Sequence, residues 1–136
     1  MYSLDEITIK VAARSSLLSK VQVKEVEKLL VDQGVIVHVD PLWIEVVGDK
    51  DQTSSLKGLE KTNFFTKEID ELLLSGQCRV AIHSAKDLPD PLPEGLVIAA
   101  LTKGVDNADV LVMKIGDSIS TLPPSARIAT SSQRRE

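Results

Sequence analysis

The chain has 136 residues, 43% of them hydrophobic and 26% charged, the make-up of a globular domain of ordinary size. A net charge of −4 argues against general nucleic-acid binding, and no apolar run approaches the ~20 residues of a membrane span. With aromatics at 3%, the core has to be built from Val, Leu, Ile and Ala.

In chain order, Ile7 to Val11 alternates apolar and polar residues, the two-residue period of a strand. Ala12 to Ser16 turns into a helix with a serine as its N-cap, and Leu18, Val21, Val26, Leu29 and Leu30 are expected on its buried face. Gly34 stands where a helix-stopping glycine belongs, and Val35 to Val39 is a second strand. Strand, helix, strand at this spacing is a βαβ unit. Ile44 to Val47 extends the second strand or forms a third, and the polar stretch Gly48 to Lys61 reads as a mobile loop. A helix is predicted from Asn63 through Leu74, burying Phe65, Ile69, Leu72 and Leu73, with Gly76 as its stop. Arg79-Val80-Ala81-Ile82 is a short buried strand. The runs Leu96–Leu101, Val110–Met113 and Ala126–Thr130 are predicted as further strands, the first of them buried on both faces. The last residues, Ser131 to Glu136, read as a helix start cut off within its first turns, so the chain is expected to be a fragment. Residues 1 to 10 hold no apolar leader core, and the single Cys78 cannot form an internal disulfide; a reducing, cytoplasmic setting is expected.

Chemistry-bearing residues gather where elements end. Arg14, Ser15 and Ser16 follow the first strand. His83, Ser84, Lys86 and Asp87 follow the strand after the second helix, where the proline-rich run Pro89 to Gly95 fixes the loop. Thr130, Ser131, Ser132, Arg134 and Arg135 follow the last strand. In open α/β sheets, ligands bind at the carboxyl ends of strands. Helix N-termini attract anions, and an arginine fork matches a carboxylate. The pattern implies a cleft for a polyanionic ligand, with Asp87 directed at something cationic or N–H bearing. Each residue also has a plainer reading. The serines are helix caps, Lys86-Asp87 is a surface pair worth ~0.2–1 kcal/mol, and Arg134-Arg135 is a solvated tail. His83, His38 and Cys78 are read as structural. No histidine or cysteine has metal-ligand neighbours, so no metal site is expected.

Several blocks, in order, resemble one family. They are Ala13-Arg14-Ser15-Ser16-Leu17 with Gln22, then Gly48-Asp49, then Phe64-Phe65-Thr66-Lys67-Glu68. Next comes Val80-Ala81-Ile82-His83-Ser84-Ala85-Lys86-Asp87-Leu88-Pro89 with Leu92 to Leu96, and last Leu122-Pro123 with Ala126 to Arg135. The family is hydroxymethylbilane synthase, also called porphobilinogen deaminase. The resemblance covers nearly all of the chain, and about the first half of a typical member.

The resemblance implies an α/β fold of the two-lobed, type II periplasmic-binding-protein kind, with residues 1–103 forming the first lobe and 104–136 beginning a second, incomplete one. It implies head-to-tail polymerisation of four porphobilinogen units with loss of ammonia, on a dipyrromethane cofactor held by a cysteine. Asp87 would be the catalytic carboxylate, binding pyrrole N–H groups and stabilising positive charge. Arg14, Ser16, Lys86, Arg134 and Arg135 would bind acetate and propionate groups, with Ser84, Thr130, Ser131 and Ser132 adding donors. Gln22 belongs to the same set, and Phe65 would pack near the cofactor rings. Lys61 would take the place of a family lysine where this chain has Thr62-Asn63. The family's cofactor cysteine lies in a later domain, so Cys78 is not assigned that role and no attachment point is expected within the chain. Asn107-Ala108-Asp109 stands where the family has Pro-Arg-Asp, so one carboxylate-binding arginine is missing. The implied partner is porphobilinogen, with no nucleic acid or membrane and a monomeric full-length protein. The fragment alone is expected to be inactive. Two rivals stay open, a non-catalytic two-lobed binding module and a catalytically weakened family member.

Overall fold

A computed structural model describes residues 7–50, 63–104, 106, 108–130, 132 and 135. The chain divides into two compact units, Met1–Ala100 and Leu101–Glu136.

The first unit is an α/β arrangement around a three-stranded parallel sheet of order β2-β1-β3. Its elements are β1 (Ile7–Arg14), α1 (Leu17–Asp32), β2 (Val37–Ile44), α2 (Val47–Lys50), α3 (Lys67–Leu74) and β3 (Val80–Ile82). β1 lies at the centre, in register with β2 from Ile7↔Val37 to Arg14↔Ile44 and with β3 from Val11↔Val80 to Ala13↔Ile82. Because side chains alternate across a strand, β1 serves two cores at once. Val11 and Ala13 pack with Val23 of α1 and Val39 of β2, and Ile9 and Ile82 close this cluster. Ala12 points to the other face, against Val46, Ile69 of α3 and Cys78. Val11, Ala12 and Ala13 are buried to within 2%. Small residues at the centre of β1 let helices approach both faces of the sheet.

The helix ends follow their sequence signals. Ser16 caps α1, its hydroxyl accepting the Ser19 N–H at 3.2 Å. Both helices end in the same hydrogen-bonded glycine motif, Gly34 N–H to Val31 C=O with Val35 N–H to Leu30 C=O, and Gly76 N–H to Leu73 C=O with Gln77 N–H to Leu72 C=O. Each glycine sits at positive φ, 80° and 74°, where a side chain is strained.

The structure corrects several expected boundaries. Val35–Val39 and Ile44–Val47 are not separate pieces; one eight-residue strand, β2, runs from Val37 through Pro41 to Ile44. Proline is tolerated there because β2 is an edge strand with a single ladder to satisfy. Gly48 and Asp49 begin no loop but lie in the short α2; of the expected mobile loop, residues 51–61 lie outside the described residues. α3 begins at Lys67, not Asn63, because the Asn63 carbonyl accepts both the Thr66 and Lys67 N–H groups in a turn. α1 buries Ser19 and Val23, while Leu18, Val21 and Leu29 are exposed, since the sheet covers a narrower stripe of the helix than its apolar residues span.

The strands expected at 96–101, 110–113 and 126–130 are not formed. Val97, Leu101, Val110 and Val112 are 85%, 75%, 87% and 91% exposed. A strand exists only through a partner's backbone, and among the described residues these runs have none. The second unit holds a short 3-10 turn at Ile119–Thr121, capped reciprocally by Ser118 and Thr121.

Candidate active site

Three parallel strands deliver their carboxyl ends to one place. β1 ends on Arg14, and Ser16 follows. β2 leads through Val46 into α2, which carries Asp49. β3 ends at Ile82, and His83 and Ser84 lead into a 3-10 turn, Ala85–Asp87. That turn is closed by the Asp87 N–H on the Ser84 carbonyl at 2.9 Å and sets the direction of Asp87.

Arg14 sits between two carboxylates. Its Nη1 donates to Asp87 Oδ2 at 2.7 Å, Nη2 donates to Asp49 Oδ1, and Nε reaches Asp49 Oδ2 at 3.4 Å. The three side chains are 18% (Arg14), 23% (Asp49) and 14% (Asp87) exposed, so the cluster is largely withdrawn from water. Burial by itself pulls the guanidinium's proton affinity down; the hydrogen bond and charge of Asp49, followed by those of Asp87, outweigh it and hold Arg14 above its ordinary value. Arg14 is therefore a fixed positive charge at any working pH. Its guanidinium also lies 4.9 Å from the centre of the Phe65 ring, which Phe64 braces edge-on at 5.1 Å. Gly48 makes this possible: a Cβ there would meet the Phe65 ring at 2.3 Å.

Beside the cluster is a cavity of about 240 Å³ lined by Arg14, Ser16, Gln22, His83, Ser84, Lys86 and Asp87, with Leu18, Ser19 and Ile82 as its remaining walls. Ser84 Oγ donates to Gln22 Oε1 at 2.9 Å, tying α1 to the loop after β3. His83 is half-buried, and both ring nitrogens are shielded with no hydrogen-bond partner among the described residues. Its burial disfavours the imidazolium; Asp70 and then Asp87 favour it, Arg14 opposes it, and the net result is a proton affinity below the ordinary value. Asp70, in α3, is 7% exposed and accepts the Thr66 hydroxyl at 2.7 Å. Burial pushes its carboxyl up, and the Thr66 bond and His83 offset this only in part.

Of the residues the sequence singles out, the structure gathers Arg14, Ser16, Gln22, Ser84, Lys86 and Asp87 around one cavity, with Phe65 against Arg14. Lys61, Ser131 and Arg134 lie outside the described residues. Thr130, Ser132 and Arg135 belong to the second unit. There the Thr130 hydroxyl accepts the Ser132 N–H at 3.1 Å, and Arg135 Nε donates to the exposed Asp109 at 2.7 Å. That bond holds Asp109 below, and Arg135 above, their ordinary proton affinities. Asp49 is the residue that sequence reasoning passed over as part of a loop. The available signal was its place shortly after the carboxyl end of the second strand, as Asp87 stands shortly after that of the third.

Among the described residues no group of three or more His, Cys, Asp or Glu could hold a metal ion, and no helix is long and apolar enough to cross a membrane. The molecule is thus an α/β domain with a charged, aromatic-backed cleft at the carboxyl ends of its parallel strands. Residues 9–136 match the family model of the porphobilinogen deaminase dipyromethane cofactor binding domain, and the chain belongs to the porphobilinogen deaminase family. It is 40% identical over 130 residues to the porphobilinogen deaminase of Moorella thermoacetica, covering 96% of this chain and 42% of that relative. The Syntrophus aciditrophicus porphobilinogen deaminase is 39% identical over 127 residues, 93% of this chain and 42% of the relative. With the Chlorobaculum tepidum porphobilinogen deaminase the identity is 44% over 92 residues, 68% of this chain and 30% of the relative. The chain thus spans less than half the length of these relatives. No solved structure matches it.

The cleft fits the group in the family model's description. A dipyrromethane carries acid side chains and pyrrole N–H groups. Arg14 and Lys86 would be cations for the former and Asp87 an acceptor for the latter, and the cavity wall holds an imidazole whose nitrogens have no hydrogen-bond partner among the described residues. Cys78 is 2% exposed in the apolar cluster beside α3 and is not among the cavity's walls.

Proposed function

We propose that this chain forms the catalytic lobe of a hydroxymethylbilane synthase, which joins four porphobilinogen units head to tail and releases ammonia at each step. The observation that carries the reading is the 2.7 Å pairing of Asp87 with Arg14 beside the cavity, at the carboxyl ends of the parallel strands. Porphobilinogen bears two carboxylates, so the growing product is a polyanion. A chain of net charge −4 can hold it only where its cations are clustered.

In this reading Arg14 and Lys86 take carboxylates, and Ser16, Ser84 and Gln22 orient them. Asp87 accepts a pyrrole N–H and faces the positive charge that develops as the amine departs. Its direction is fixed beforehand by Arg14 and by the turn, which is the preorganisation that makes electrostatic stabilisation effective. Arg14 can release Asp49 as it engages a ligand, because Asp49 is the most exposed of the three side chains, at 23%. Phe65 lies against the guanidinium as a flat apolar wall for a ring. Dipyrromethane, when bound, supplies the pyrrole to which the first substrate ring is joined. Lys61, Thr130, Ser131, Ser132, Arg134 and Arg135 complete the carboxylate-binding set. Arg135 is available for this, since its bond to Asp109 is exposed to water and weak. The reading includes a two-lobed type II architecture, with a first lobe of residues 1–103 and a second beginning at 104, in a monomeric cytoplasmic protein.

Two measurements test it. The 136-residue chain is expected to bind porphobilinogen in calorimetry yet form no hydroxymethylbilane. A chimaera in which the chain replaces the matching segment of the Moorella thermoacetica relative is expected to turn over. Asp87→Asn in that chimaera should cut turnover ~100-fold or more while leaving binding within a few-fold. A chimaera that folds and binds but never turns over supports a binding module or weakened member instead. No binding by either protein overturns the reading.

A further inference from the structure

His83 is the cavity residue for which the proposed chemistry has no use. It lines the cavity, and neither ring nitrogen has a hydrogen-bond partner among the described residues. Purely structural histidines close a hydrogen bond, since an orphaned buried nitrogen costs about 1–3 kcal/mol. The groups that face it are carboxylates from two elements and a cation from a third: Asp70 from α3, Asp87 from its own loop, and Arg14 at the end of β1. Lys86 lines the same cavity, and Asp49 stands behind Arg14.

Opposing influences meet on this imidazole. Burial and Arg14 oppose a charge on the imidazole, and the two carboxylates invite one. A ligand carboxylate on Arg14 cancels the repulsion and adds a further negative charge within the cavity. The imidazolium has two N–H donors where the neutral ring has one donor and one acceptor, so protonation turns the acceptor nitrogen into a second donor in a site newly filled with acceptors.

We propose that His83 couples ligand binding to proton uptake: when a polycarboxylate occupies the cavity at Arg14, the imidazole takes a proton from solvent and becomes part of the cationic lining. Binding and protonation then assist each other by equal factors, so affinity for the polyanion rises on acidification. The inference rests on the polycarboxylate reading given above.

Calorimetry of porphobilinogen binding to the 136-residue chain, in cacodylate and in Bis-Tris at about pH 6.5, tests it. The difference in heat between the two buffers should report uptake of about half a proton per ligand bound. His83→Gln should abolish that uptake and the pH dependence of the affinity. Proton NMR supplies a second readout that needs no variant: saturating porphobilinogen should move the titration midpoint of the His83 ring upward by about one unit or more. Binding without proton uptake, uptake that survives His83→Gln, or an unmoved His83 midpoint overturns this inference and leaves the polycarboxylate reading standing. Absence of any binding overturns both.

Discussion

The two units use their apolar sequence in opposite ways. In Met1–Ala100, β1 has a neighbour on each side and a helix on each face, and Ala12, Ala13, Val46 and Ile69 are fully buried. In Leu101–Glu136, Val110, Val112 and Ile115 stand in solvent, and the 3-10 element at Ile119–Thr121 is a single short turn. Apolar content supplies a tendency to be buried. What converts it into a core is a partner strand to satisfy the backbone and a helix to cover the face. The candidate site follows the same division. Its charged cluster sits on the rigid sheet of the first unit, while Arg135 in the second meets Asp109 in full exposure to water.

The largest test of this contrast is a pair of truncations. Ile69→Ala should destabilise the chain by about 2–5 kcal/mol in urea unfolding, whereas Val112→Ala should stay within about 0.5 kcal/mol. Equal losses would show that the second unit has a core of its own. Next in size, Arg14→Met removes the common partner of two half-buried carboxylates. It should cost about 1–3 kcal/mol and weaken porphobilinogen binding at least tenfold. A variant that binds as tightly as the parent would remove Arg14 from the site. Ser16→Ala deletes the α1 cap and should cost about 1 kcal/mol, with Ser16→Gly costing only a few tenths. If ligand binding then falls more than the lost stability explains, Ser16 acts on the ligand as well as on the helix.

A smaller effect is expected from pH. The folded chain holds His83 below its ordinary value of about 6.5, so on acidification the unfolded chain takes up that proton first. Stability contributed by this group is full above about pH 6.5 and declines as pH falls through that value. Asp70, held above its ordinary range, acts in the opposite sense at lower pH, because the folded chain keeps its proton longer. His83→Gln should flatten the unfolding midpoint between about pH 5 and 7 relative to the parent. An unchanged slope would show that His83 titrates alike in both states. Smallest of all, Arg135→Gln should leave the midpoint where it is, because its ion pair with Asp109 lies fully in water.

Much of the first unit was legible in the chain. The glycines at 34 and 76 end their helices because no other residue takes positive φ without strain, and Ser16 caps because its hydroxyl is the right length to reach the Ser19 amide. Period-2 alternation located β1. The apolar face of α1 was misjudged at Leu18, Val21 and Leu29, since helical spacing gives the direction of a stripe and not the width that a neighbour covers. Gly48-Asp49 looked like the opening of a loop, being polar and glycine-bearing. Its use lies in contacts with residues far along the chain, Phe65 over Gly48 and Arg14 against Asp49.

Local chemistry, then, settled by sequence alone where helices stop and which polar residues stand at element ends. Those outcomes depend on a few neighbouring residues. Folding decided that Arg14 is shared between Asp49 and Asp87 and, among the described residues, that both nitrogens of His83 are left unpartnered at a cavity wall and that the apolar runs after residue 95 form no strands. Each of these is a matter of distance between segments separated by tens of residues, and such distances are fixed only once the sheet has set its order and the helices have chosen their faces.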